Sequence, residues 1–385
     1  MSGPLSGVRV LELASIGPGP FCGMLLADMG ADVLRVDRLE PTDLGLPLAP
    51  KFDIMARGRR SIGLDLKRPE SVALVLELLE KADVLIEGFR PGVTERLGLG
   101  PDACLARNPR LIYGRVTGWG QDGPLAQAAG HDINYIAITG ALHAIGCVGQ
   151  APVPPLNLVG DYGGGAMYLA FGIACALVER NSSGRGQVID AAMSDGAASL
   201  MSIFYSRMAA GAWRDERGVN AIDGGAPWYG VYETADGKYI SIGAIEGRFY
   251  ANLTARLAQL LDLDVSAWPT QHDRARWPEL RARLSDAFAR KTRDEWCAAL
   301  DGRDVCFAPV LSLTEVPAHP HHRARGTFVQ RDEVIQPSPA PRFSRTPGRI
   351  ARRAPQRGEG GAAALAEWGF DTAAIARFRA AGALI

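Results

Sequence analysis

Four ionisable residues stand where the chain passes from strand or loop into helix-like sequence. His131 and Asp132 lie between Gly130 and the apolar pattern INYIAITGALHAI. Asp161 lies between LNLVG and GGGAMYLAFGIACALV, and Glu246 follows YISIGAI and precedes FYANL. The first N–H groups of a helix lack intrahelical partners, so they can bind an oxyanion while a neighbouring side chain points into a cleft. Ionisable groups at such places can hold or move protons. Each also has a structural use. Asp161 fits a helix N-cap, His131 a buried hydrogen-bonded imidazole, and Glu246 a surface or capping carboxylate. His143, His272, His319, His321 and His322 have no comparable setting and read as structural or exposed.

A second group is cationic. Arg35, Arg38, Arg57, Arg59, Arg60, Lys67, Arg90, Arg96 and Arg115 recur close to strand-like runs within the first 120 residues. In a chain with 42 basic and 42 acidic residues, such clustering points to a compact polyphosphate ligand. A solvated surface charge is the ordinary role of any one of them, so phosphate contacts are expected for only a few.

These residues need elements to hold them. VRVLEL, ADVLRVD, RRSIGLDL, DVLIEGF and RLIYGRVTG read as strands, separated by the helix-like FCGMLLADMGA and SVALVLELLEKA. Alternating strands and helices predict right-handed crossovers and a mostly parallel sheet, an α/β fold. Gly17 to Gly23 form a glycine-rich turn after the first strand, with Asp37 some way on, as in dinucleotide-binding proteins. The spacing is G-x-G-x-x-x-G, however, and Pro18 and Pro20 remove N–H donors a pyrophosphate would need. A tight strand-to-helix turn is the reading that fits.

RGQVID predicts another strand, and the Ala/Met-rich stretch after it a helix. The Asp236-Gly237 pair between GVYET and KYISIGAI predicts a hairpin. A smaller α+β domain follows from it, over about 224–309. The run between Asp161 and Glu179 carries three consecutive glycines and falls short of a span, so a buried core helix is expected rather than a membrane crossing.

The chain has 385 residues, 47% hydrophobic and 22% charged, which excludes a disordered polar protein. Zero formal net charge argues against a dominant nucleic-acid or anionic-membrane surface. Six scattered cysteines without a C-x-x-C pair or metal spacing predict a reduced, cytoplasmic protein with no metal site. The N-terminal sequence shows no signal-peptide pattern.

Several long stretches occur in order along nearly the whole chain: ASIGPGPFCGMLLADMGADVLRVDR, RGRRSIGLDLK, ADVLIEGFRPGVTERLGLGP, GRVTGWGQDGP, GHDINYIAITGALHAIG, PPLNLVGDYGGGAMYL, GRGQVIDAAMSDGAA and DGGAPWYGVYETADGKYISIGAIE. Together they resemble the α-methylacyl-CoA racemase branch of the type III CoA-transferase (CaiB/BaiF-like) superfamily. The resemblance implies an obligate, interlocked homodimer with a Rossmann-like large domain built from both chain ends. It sets expected boundaries: 1–185 for the first part of a large CoA-binding domain, 186–223 for linking helices, 224–315 for the small domain and 316–385 for the return.

The same resemblance implies racemisation of 2-methylacyl-CoA thioesters by 1,1-proton transfer through an enolate. His131, supported by Glu246 from the other subunit, would serve one face of the carbon, and Asp161 the other. The N–H of Asp132 would meet the enolate oxygen. Coenzyme A contacts fall on Arg38, on Leu64, Asp65, Leu66 and Lys67, on Gly88, Phe89, Arg90 and Arg96, and on Gly130, Ile133, Asn134 and Tyr135. No metal or redox cofactor is expected, since coenzyme A is part of the substrate. Met167, Met193, Met201 and Met208 could line an acyl surface or simply pack in the core. The chain departs from the family at Gly247-Arg248, where many members have Pro-Gln. A CoA-transferase using Asp161 as nucleophile, a nicotinamide-dependent oxidoreductase and a non-catalytic acyl-CoA-binding protein are the competing readings.

Overall fold

The apolar runs of the first 120 residues become strands covered on both faces. β1 (Arg9–Leu13), β2 (Asp32–Asp37), β3 (Arg59–Gly63), β4 (Val84–Glu87), β5 (Ile112–Thr117) and β6 (Val188–Ala192) form one sheet in the order β3-β2-β1-β4-β5-β6. Every pairing is parallel. A parallel sheet needs cover on both sides, which is why these strands are near-continuous apolar runs.

On one face Val10, Val33, Val84, Ile86 and Ile112 pack against Cys22 and Leu26 of α1 (Pro18–Asp28) and against Leu169, Ile173 and Ala176. On the other, Leu11, Leu13, Leu34, Val36 and Ile62 pack against Leu74 and Leu78 of α2 (Pro69–Leu79) and against Trp368, Phe370 and Phe378. The strand order turns back between β1 and β4. In such sheets the crevice beyond the strands' C-terminal ends at that point is where ligands bind.

The computed structural model describes residues 3–40, 45 and 48–384, and the chain divides into two units. The first takes the residues up to Thr139, Leu156–Met201, and those from Arg325 onward. The second takes Gly140–Pro155 and Ser202–Ala324. The stretch 186–223, expected as linking helices, therefore splits. β6 and the helix Met193–Leu200 belong to the first unit, because β6 completes the sheet beside β5 and that helix lies against Gly164. The return begins at Arg325 rather than 316. Glu315 is held in the second unit by Arg293, with Nη1 3.2 Å from its Oε2.

In the first unit, the returning chain is fastened by a buried guanidinium. Arg57 bonds both carboxylate oxygens of Asp28 (3.1 and 2.6 Å) and also donates to Gln336 Oε1 and the Pro337 carbonyl, each at 2.8 Å. Those acceptors lie on the hairpin of β10 (Phe328–Arg331) and β11 (Val334–Pro337).

The second unit has a three-stranded antiparallel sheet of β7 (Tyr229–Glu233), β8 (Tyr239–Gly243) and β9 (Phe307–Pro309). The hairpin predicted at Asp236-Gly237 is present, with Gly237 at φ 70°. Tyr232, Ile240 and Ile242 pack under Leu253, Leu257, Leu284, Phe288 and Trp296.

The helical run Leu158–Ser183 departs from the buried core helix expected. Leu169, Ile173 and Ala176 face the sheet, while Met167, Phe171 and Val178 are 51%, 69% and 70% exposed on the other side. A layer on a sheet buries one face of a helix only. By length and composition alone the run is long and apolar enough to cross a membrane.

Candidate active site

Three of the cationic loops meet at the C-terminal rim of the parallel sheet. Arg38 directly follows β2, residues 64–67 follow β3, and Gly88-Phe89-Arg90 follow β4. Of the nine basic residues singled out, Arg35, Arg57, Arg59, Arg60 and Arg115 are tied to Asp37, Asp28, Glu12, Asp32 and Glu87. Arg38, Lys67, Arg90 and Arg96 are exposed and have no ion-pair partner among the described residues. The unpaired four are thus the ones free to meet a polyphosphate. Leu64 behaves differently from its neighbours: its side chain is 1% exposed and belongs to the core, leaving only its backbone for a ligand.

The loop after β4 is held from beneath. Glu87 is fully buried; its Oε2 accepts the Phe89 N–H at 2.7 Å and its Oε1 pairs with Arg115 Nε at 2.7 Å. Arg115 reaches on to Glu95 Oε1 (2.8 Å) and Thr94 Oγ1 (3.1 Å). One guanidinium on β5 so bridges both sides of the turn carrying Arg90 and Arg96.

His131 is the N-cap of the helix Asp132–Ala137, with extended backbone (φ −132°, ψ 176°). Its N–H donates to Asn134 Oδ1 at 3.0 Å within a capping box, and the residue is exposed. Tyr135 packs edge-on against Trp119, centroids 4.8 Å apart, and its hydroxyl donates to the Gly130 carbonyl. Gly118 and Gly130 leave room for that ring. Burial and the Asp161 carboxylate push the Tyr135 phenol up, Arg90 pulls it down, and Asp132 adds a smaller push up. Tyr135 therefore senses both the loop after β4 and Asp161. Ile133 and Asn134 lie exposed on the same helix.

The sequence places Asp161 where a helix N-cap would stand. Instead it sits inside a π-helical opening, Leu158–Ala166, that runs into the helix Met167–Ser183. Gly163, Gly164 and Gly165 allow this winding against the helix Met193–Leu200; a β-carbon on Gly164 would stand 2.6 Å from the Ala197 nitrogen. Single π turns inside helices are uncommon and concentrate at functional sites. The Asp161 N–H donates to Asp132 Oδ2 at 2.6 Å, and Asn157 Nδ2 donates to Asp161 Oδ2 at 3.0 Å.

The charge state of Asp161 follows from these neighbours. Burial pushes its carboxyl above the usual aspartate range, the Asn157 hydrogen bond opposes this, the Asp132 charge adds to the rise, and His131 lowers it. His131 and Asp161 are thus within electrostatic reach of each other in one unit. The unit thus holds an exposed imidazole and a half-buried carboxyl whose proton affinity is raised.

Glu246 belongs to the second unit. It ends the loop after β8 and N-caps the helix Gly247–Leu261, its carbonyl accepting from Phe249 and Tyr250 at 3.0 and 3.1 Å. Its carboxylate has no ion pair among the described residues, and Arg248 packs over Phe249 with 4.3 Å to the ring centroid. Of the methionines, Met193 is buried against Gly165, whereas Met167 and Met208 are half exposed. Two functional contacts escaped the sequence reading: Asn157 and the Asp132 side chain. Asn157-x-x-x-Asp161 has helical spacing and was hidden because the helix was expected to begin at Asp161. No group of three or more His, Cys, Asp or Glu suited to a metal occurs among the described residues.

The parallel sheet thus carries exposed cations at its C-terminal rim, with His131 at a helix start and Asp161 in a π turn of the same unit. Residues 5–360 match CoA-transferase family III, and the chain belongs to that family. It is 47% identical over 369 residues to the alpha-methylacyl-CoA racemase of Mus musculus, covering 95% of this chain and 94% of that protein. With the alpha-methylacyl-CoA racemase of Homo sapiens it shares 44% identity over 371 residues, covering 95% and 94%. The crystal structure of a CAIB/BAIF family protein from Brucella suis matches with a TM-score of 0.82 at 29% identity, covering 96% of this chain and all of that one.

Proposed function

We propose that the protein interconverts the R and S forms of 2-methylacyl-CoA thioesters by moving one proton off, and another onto, the carbon beside the thioester. The observation that carries this reading is an exposed His131 within electrostatic reach of a half-buried Asp161 whose carboxyl lies above the usual aspartate range. In one direction His131 takes the α-proton and Asp161 delivers its own to the opposite face; in the other direction the roles exchange. One C–H bond breaks and one forms, so the sum is balanced without a redox partner or a metal. The enolate oxygen that develops in between meets the Asp132 N–H at the start of its helix.

The cations at 38, 67, 90 and 96 hold the phosphates of coenzyme A, with Gly88, Phe89 and the segment Gly130–Tyr135 along its length. Glu246 of a second copy orients His131, which makes the enzyme a homodimer. The apolar stripe of Met167, Phe171, Cys175 and Val178 on one helix face supports an apolar partner surface of that kind. The six unpaired cysteines favour work in the cytoplasm.

A CoA-transferase would use Asp161 as an ionised nucleophile. Acyl transfer has no use for His131 and Glu246 together, which favours the racemase reading. The test is exchange of the α-proton of 2-methylacyl-CoA in heavy water without added cofactor. Wild type exchanges it, and His131→Ala and Asp161→Ala each lose racemisation by roughly 100-fold or more. A covalent acyl adduct trapped by hydroxylamine during turnover would replace this reading with the transferase.

A further inference from the structure

The Asp132 side chain has no place in the scheme above, which uses only its backbone N–H. Yet it is 5% exposed, one oxygen accepts the Asp161 N–H at 2.6 Å, and the other is buried with no hydrogen-bond partner among the described residues. No arginine, lysine or histidine pairs with it there. A buried carboxylate without a counter-charge is costly. An asparagine could accept the same N–H without that cost, so the hydrogen bond alone does not account for an aspartate here. Gly160 is fitted to it, since a β-carbon at that residue would stand 2.6 Å from Asp132 Oδ2.

We propose that the Asp132 side chain is a positioning residue for proton transfer: its carboxylate fixes the backbone of the π-helical turn at Asp161 and sets an uncompensated negative charge beside the Asp161 carboxyl. The proposal rests on Asp161 being a proton carrier. The field of Asp132 raises the proton affinity of Asp161, adding to burial and working against Asn157 and His131. The other elements around this turn supply little charge. The α1 turn brings Gly17 and Pro18, and the helix Met193–Leu200 brings only Asp195, which is exposed. Arg90 acts on Tyr135.

The experiment compares wild type with Asp132→Asn and Asp132→Ala, measuring racemisation from each enantiomer across pH. Asp132→Asn keeps an acceptor for the Asp161 N–H but no charge. In the direction where Asp161 is the base, its activity extends to lower pH than wild type; where Asp161 is the acid, activity is lost at lower pH. Asp132→Ala removes the clamp as well and loses kcat by roughly 10-fold or more with little change in KM, the effect of a misplaced reacting group. Infrared difference spectra against Asp161→Asn read the Asp161 carboxyl band directly, with the band of Asp132→Asn disappearing at lower pH. This readout decides the matter even where Asp132→Ala does not fold. Profiles and carboxyl bands of Asp132→Asn that superimpose on wild type would overturn the proposal. Failure of wild type to exchange the α-proton would instead remove the functional reading beneath it.

Discussion

Oδ2 of Asp161 lies 3.2 Å from the point where a β-carbon on Gly17 would stand, and Gly17 has φ 67°. The glycine-proline turn after β1 is therefore shaped around a carboxylate of the same unit. Dinucleotide turns open onto a pyrophosphate; this one closes onto an acid.

Gly17→Ala should crowd Asp161 and strain the turn together. A non-glycine residue forced into a sparsely populated conformation costs about 1–3 kcal/mol, and thermal unfolding reads that loss. Racemisation should fall through kcat more than KM, because the added methyl meets the proposed proton carrier rather than the loops proposed to hold coenzyme A. An unchanged kcat in a destabilised protein would show that the close approach is incidental.

The Arg115 bridge predicts a different signature. Glu95→Gln removes the partly exposed end of the bridge, worth at most about 1 kcal/mol for an ion pair open to water. It should raise KM for acyl-CoA several-fold while leaving kcat near wild type. Arg115→Met strands Glu87 in the core and should destabilise by about 3–5 kcal/mol. Equal falls in kcat and kcat/KM for Glu95→Gln would mean that the loop serves the reacting carbon instead.

Arg38→Ala and Arg90→Ala should weaken binding of acyl-CoA, uniformly in ground and transition states, so that KM rises and kcat holds. Steady-state kinetics at two salt concentrations checks this. Both variants should also respond less to salt than wild type, since each lacks one screened contact. A fall in kcat alone would contradict a purely binding role.

Phe171→Asp and Val178→Asp place charges on the exposed apolar stripe. If a second copy covers that helix face, each variant should sediment as a monomer and lose racemisation along with Glu246. Variants that remain dimeric and active would place the partner surface elsewhere.

The second unit carries its own pH dependence. Hydrogen bonds from Arg293, then from Ser312, pull the Glu315 carboxyl down from 4.5 to about 2. A carboxyl depressed on folding adds stability that is complete above its unfolded value and is lost as pH falls through its folded one. Urea midpoints should therefore drop between about pH 4.5 and pH 2, and the drop should be smaller in Glu315→Gln. Parallel curves for the two proteins would assign the loss to other carboxylates.

The parallel sheet was legible because buried strands carry their pattern locally, in runs such as VRVLEL and DVLIEGF. His131 and Glu246 were legible as helix-start residues, since helix starts leave a mark in adjacent sequence, whereas Asp161 lies inside a π turn. What could not be read depended on contacts far apart in the chain. Five of the nine clustered cations are neutralised, four of them by carboxylates that only the fold brings near, such as Arg57 by Asp28. The π turn was hidden because its cause is the approach of Gly164 to Ala197, more than 30 residues on. The exposed face of the helix after it was hidden for a related reason, since a run apolar all round reads as interior whether protein or a partner covers it.

Trp368, Phe370 and Phe378 close the apolar layer over β1–β3, and Arg57 waits for Gln336 and Pro337. During synthesis the sheet would thus stand half-covered until residues 336–378 left the ribosome, while the intervening unit already had its own strands and helices to hand. Removal of Trp368, Phe370 and Phe378 should then strip the nascent sheet of its lid, whatever the state of the intervening unit.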